Sequence, residues 1–98
     1  MSFTKDTNYQ AGRARLFTNS GVPNPGEVPY DIYLTENGQP GYCGGLYIGG
    51  AGNLVVIMAQ DTTNTLVTFN GLVAGTFLPI QVKKVSSTST ATNIMGLW

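Results

Sequence analysis

Asn53-Leu54-Val55-Val56-Ile57-Met58-Ala59-Gln60 is the stretch that decides the fold class. In an extended strand, successive side chains point to opposite faces. Leu54, Val56 and Met58 then share one face, and Val55, Ile57 and Ala59 the other. Both faces are apolar, so both call for cover. The run is bounded by turn formers, Gly49-Gly50-Ala51-Gly52 before it and Asp61-Thr62-Thr63-Asn64 after it. Its strongly apolar part, Leu54–Ala59, is far shorter than the roughly 20 residues that span a bilayer as a helix.

Further short strands follow at roughly ten-residue spacing, which is an all-β signature. They are expected at Leu46–Ile48, Thr65–Phe69 (ended by Asn70-Gly71), Thr76–Val85 and Thr92–Trp98. In Thr76–Val85, Leu78, Ile80 and Val82 are expected inside, with Gln81 and Lys83 outside. Pro79 has no N–H to give a ladder, so that strand is expected at an edge or to bulge there. In the last strand Ile94 and Trp98 share one face, and Met95 and Leu97 the other. Leu72-Val73-Ala74-Gly75 reads as a tight connection and Ser86–Thr90 as a polar loop. No stretch of helical periodicity appears. Alternating strands need two layers to bury their inner faces, so the expected fold is a small antiparallel β-sandwich or barrel.

The first part of the chain is different in kind. It holds four of the five acids, three of the five bases and four of the five prolines, without a sustained period. Residues 1–29 are expected to form an extended N-terminal arm, anchored by Phe3, Tyr9, Leu16 and Phe17. Residues 30–98 are expected to form the β domain, opening with a short strand at Tyr30–Thr35 and a tight turn at Asn37-Gly38.

From Cys43 to Trp98 the only formal charges are Asp61, Lys83 and Lys84. A soluble monomer usually carries charge on about 25–35% of its surface residues. Such a charge-poor half, with net charge +0 over the chain, points to surfaces covered by assembly. It excludes the strongly basic field of a nucleic-acid or anionic-membrane binder. No apolar signal segment opens the chain, so synthesis and solubility in the cytoplasm are expected.

The residues also argue against catalysis. Histidine is absent, which removes the commonest general base and metal ligand. Cys43 has no basic neighbour in sequence to generate a thiolate and reads as a small apolar core residue. The five carboxylates are scattered, and Asp61 sits in a turn-forming run. The glycine run at 44–52 lacks the Lys-Ser/Thr of a phosphate loop. No enzyme, cofactor or metal is expected. The aromatic residues suit a core or a protein interface. The interface candidates are Phe3, Tyr9, Arg13, Arg15, Phe17, Tyr47 and Trp98, with Arg13 and Arg15 on one side of an extended segment. The alternative is a carbohydrate-binding β module stacking sugars on Tyr side chains and Trp98.

The second half also resembles a known family. The blocks are Gly45–Leu54 (GLYIGGAGNL), Val67-Thr68-Phe69, Val73–Val82 (VAGTFLPIQV), Thr90–Ile94 (TATNI) and the terminal Leu97-Trp98. They resemble the small head-spike-base and head-decoration (cement) proteins of tailed phages and gene transfer agents. The resemblance covers residues 44–98; Met1–Tyr42 carries none of it. It implies a non-enzymatic virion component on the outer head surface, bound to the major capsid protein. As a spike base it implies a pentamer carrying a fibre protein, and as cement a trimer or dimer. It assigns no catalytic residues.

Overall fold

A computed structural model describes residues 12–18, 26–36 and 39–98. All regular structure among them is β, as the alternation predicts. The organising strand, β6 (Gly52–Met58), is the quoted apolar run. It lies in the middle of a three-stranded sheet between β7 (Leu66–Leu72) and β9 (Val82–Val85). The second sheet has five strands: β2 (Val28–Pro29), β1 (Ala14–Thr18), β10 (Thr92–Leu97), β5 (Gly45–Gly50) and β8 (Thr76–Leu78), in that order. A small hairpin, β3 (Thr35–Glu36) with β4 (Gln39–Pro40), stands apart from both.

The two sheets face each other across one core. Phe17, Leu46, Ile48 and Ile94 come from the larger sheet, and Leu54, Val56, Val82 and Val85 from the smaller, with Leu34, Cys43 and Ala91 filling in. Val55 and Ile57, on the far face of β6, are buried as well. Their cross-strand neighbours Thr68, Leu66 and Lys84 flank them on that face. The expectation of cover on both faces of this strand therefore holds.

Ser86–Thr90 is more than a loop. Where β9 ends, its hydroxyls and amides take over the ladder along β6. Ser86 N–H donates to Val55 O (2.8 Å), Val55 N–H to Ser89 Oγ (2.9 Å) and Asn53 N–H to Thr90 Oγ1 (2.8 Å). A backbone that is buried must have its donors and acceptors matched, and serine and threonine supply that match where no strand is present.

Three expectations need correction. Thr76–Val85 is not one strand. It breaks at Pro79, and its halves β8 and β9 belong to different sheets. A bulge around Lys83 then shifts the register between Ile57 and Met58, so that Val82 and Val85 both face the core. Tyr30–Thr35 is not a strand either. Tyr30 and Asp31 form a turn, with Asp31 at φ 66°, and strand begins only at Thr35. Finally, the division at residue 29 is not a boundary of packing. Ala14–Thr18 is extended, but as an inner strand of the larger sheet, antiparallel to β10. Phe17 and Val28 are core residues. The β1–β2 contact is parallel, with Phe17 opposite Val28, so the sheet is not wholly antiparallel. Residues 1–11 and the Asn37-Gly38 turn lie outside the described residues.

The aspartates show how the turns are held. Asp61 Oδ1 accepts from the Thr63 hydroxyl (2.7 Å) and Thr63 N–H (2.8 Å), and Oδ2 from Thr65 N–H (3.2 Å). Those bonds hold its carboxyl below the usual aspartate range. Ser87, through its side chain and its N–H (2.9 Å), does the same for Asp31. A depressed folded-state pKa contributes stability above the ordinary aspartate value, which is lost as pH falls through the folded one. The urea midpoint should therefore drop as the pH falls from about 5 towards 2. The double variant D31N/D61N should lose part of that slope while keeping the fold.

Candidate interaction surface

The larger sheet buries one face, and register fixes what it shows on the other. Leu16 lies opposite Met95, Met95 opposite Tyr47, and Tyr47 opposite Phe77. Directly opposed residues share a face. These four side chains therefore form one row across β1, β10, β5 and β8. Their chain neighbours Phe17, Ile94, Leu46 and Ile48 point into the core, so the row points out. Tyr47 is 42% exposed and Phe77 43%; Leu16 and Met95 are half-buried.

A second row beside it, Ala14–Leu97–Gly45, is also apolar. A side chain at Gly45 would come within 2.8 Å of Phe77 Cε1. The phenyl ring thus packs against the glycine, and the absent Cβ is what admits it. The one charged residue in these four strands, Arg15, is on the core-side face opposite Gly96. The outer face is left without charge across all four strands.

Arg15 does not go unused. Its guanidinium stands 5.6 Å from the centre of the Trp98 ring, and that of Arg13 stands 5.1 Å away. Each is a cation–π contact, favoured by the negative face of the indole. Trp98 is further tied by Nε1–H to Gly41 O (2.8 Å), N–H to Arg13 O (2.8 Å) and O from Gly12 N–H (2.7 Å). The two-residue spacing of Arg13 and Arg15 puts them on one side, as expected, but their partner is this chain's own tryptophan.

The interface candidates therefore divide. Tyr47 lies on the outer face. Phe17 is buried in the core and is not available to a partner. Arg13, Arg15 and Trp98 form the stack just described, while Phe3 and Tyr9 lie outside the described residues. Phe77 and Met95 were not picked out from sequence. The alternation of the last strand puts Met95 on the face away from Ile94, and the burial of Ile94 in the core makes that face the outer one. Phe77 becomes visible only when β8 is paired with β5.

Elsewhere the chemistry is sparse. Cys43 is fully buried, and burial pushes its thiol pKa up, away from a reactive thiolate. Among the described residues no three His, Cys, Asp or Glu side chains cluster as metal ligands. A cavity of about 170 Å³ is lined by residues that include Arg15, Glu27, Tyr33 and Trp98. It is smaller than the roughly 300–1,000 Å³ of most ligand pockets. A more open cleft of about 370 Å³, lined by Met58, Ala59, Gln60, Pro79, Ile80 and Gln81, reaches only the lower end of that range, and no charged side chain lines it. Comparison with protein-family models, with curated proteins and with solved structures finds no match to the chain.

Proposed function

We propose that this chain is a non-enzymatic structural subunit of a virus-like particle, a capsid decoration or head-spike-base protein. In this reading it docks on the outer surface of the major capsid protein shell, is arranged there by the symmetry of the shell as a homo-oligomer, a trimer or a pentamer, and in the spike-base role carries a fibre. The observation that carries the reading is the uncharged outer face of the five-stranded sheet, with Tyr47 and Phe77 exposed on it. Exposed aromatic side chains on an apolar patch are the usual anchors of protein interfaces. Repetition over a shell would multiply a modest contact by multivalency. The resemblance of residues 44–98 to head-decoration and spike-base proteins supplies the kind of particle. The carbohydrate-binding alternative is less well supported, because the Trp98 ring already carries two guanidinium groups.

The test is rebinding of purified protein to particles stripped of it, measured by co-sedimentation. The double variant Y47S/F77S should fold normally, since both side chains are on the outer face, and bind at least about tenfold more weakly. Full occupancy by that variant would refute this docking face.

A further inference from the structure

A sheet edge exposes a row of unpaired N–H and C=O groups, and proteins guard such edges with charge, proline, bulges, shortness or cover. Among the described residues five edges are guarded in those ways. β2 is two residues long and ends in Pro29; β8 is three residues long and is followed by Pro79. The β3–β4 hairpin has two residues per strand and contains Pro40. β9 is covered: Leu34 N–H donates to Lys83 O (2.9 Å), Asp31 N–H to Val85 O (2.8 Å), and Cys43 bridges Val82.

Among the described residues, β7 has none of these protections over most of its length. Leu66-Val67-Thr68-Phe69-Asn70-Gly71-Leu72 contains no charge and no proline, and it is the outermost strand of its sheet. Leu66 is 53% exposed. The direction of its backbone groups follows from β6. Val55 directs its N–H to Ser89 Oγ and its O to Ser86 N–H, away from β7. Thr68 lies opposite Val55. In an antiparallel pair, groups turned away on one strand are turned away on the other. The N–H and C=O of Thr68, and of Leu66 two residues earlier, therefore point outward at the free edge. The window is closed at both ends. Thr65 N–H is held by Asp61 Oδ2. A bulge at Asn70–Gly71, with Gly71 at φ 69° and its N–H held by Asn53 Oδ1 (2.8 Å), ends the flat stretch.

We propose that Leu66–Asn70 is a strand-addition site whose occupant is the same segment of a second copy of this chain. Among the described residues each copy has one long unguarded edge, so in a contact between copies that edge can pair only with its own counterpart. The pairing is isologous, about a two-fold axis at Thr68. Thr68 exchanges both hydrogen bonds with Thr68 of the second copy. Val67 faces the second copy's Phe69 on the core side, a β-branched–aromatic pair of the kind that stabilises sheets. Leu66 faces Asn70. The segment has no charge to oppose meeting itself, and the two three-stranded sheets merge into one continuous sheet.

This contact is separate from the docking face, which lies on the other sheet, and it is testable without any particle. Sedimentation equilibrium of the full chain from about 5 to 500 µM should show a reversible monomer–dimer equilibrium, as expected for a small interface. T68K and T68E change an exposed side chain at the axis, where like charges would meet. Each alone should weaken dimerisation at least about tenfold with an unchanged circular dichroism spectrum. An equimolar mixture of the two should restore the dimer, less so at high salt. Y47S/F77S should dimerise like wild type. A wild-type chain that stays monomeric throughout, a T68K chain that still dimerises, or a mixture that stays monomeric would each overturn the proposal. The first of these is also the outcome expected if the edge takes a foreign strand instead.

Discussion

A chain that begins at residue 30 should show no cooperative unfolding transition. The deletion removes β1, which lies between β2 and β10 in the five-stranded sheet, together with the core residues Phe17 and Val28. It exposes the edge of β10 and strips Trp98 of the Arg13 contacts that hold both its ring and its backbone. The sequence alone suggests the opposite, a dispensable arm and an intact β body. A single substitution separates the two. F17A should cost about 3–5 kcal/mol if Phe17 is core, a large part of the roughly 5–15 kcal/mol that a small domain has. Urea denaturation of F17A and a thermal melt of the deletion are the measurements. A cooperative melt of the truncated chain near the wild-type temperature would mean that β1 is not needed.

G52A should be nearly as damaging, for a different reason. Gly52 opens β6 at φ 153°, a conformation that side-chain-bearing residues rarely adopt. A Cβ there would strike the backbone of the Thr90–Ala91 segment, lying 2.6 Å from Thr90 C and closer still to Ala91 N. Backbone cannot turn aside as a flexible side chain can. That segment is also tied to β6 through Asn53 O, which accepts from Thr90 N–H (2.9 Å) and Ala91 N–H (3.0 Å). Relieving the clash breaks those bonds, so a loss of about 3 kcal/mol or more is expected. G12A, where nothing lies within 4 Å of the added Cβ, should shift the urea midpoint hardly at all and serves as the control. A G52A protein as stable as wild type would show that the 90–91 segment yields.

Individual strands were legible because their signals are local. Val55 and Ile57 beside Leu54 and Val56 announce a strand covered on both faces, and Pro79 announces a break in the ladder. The Asp61 turn follows from its own Asx chemistry. β1 was not legible in this way. Arg13-Ala14-Arg15-Leu16-Phe17 alternates, but two arginines on the inward side read as solvent-facing. They are tolerated there because Trp98, the last residue of the chain, supplies an aromatic face for both guanidinium groups. The candidate surface was half legible for the same reason. The alternation of Thr92–Trp98 puts Met95 on the face away from Ile94 but does not say which face is outer, and Phe77 joins Met95 only through the pairing of β8 with β5.

By itself the sequence determined that this chain is all-β, poor in charge over its second half, and broken by turns at 49–52, 61–64 and 72–75. Those properties depend on residues adjacent along the chain. Only the tertiary structure decided that β1 belongs to the core, that Thr76–Val85 serves two sheets, that Tyr47 and Phe77 meet on one uncharged face, and that β7 is the unguarded edge. Each of these depends on which strands become neighbours and in what register. Register is a non-local property: it is set by the joint burial of side chains far apart in sequence.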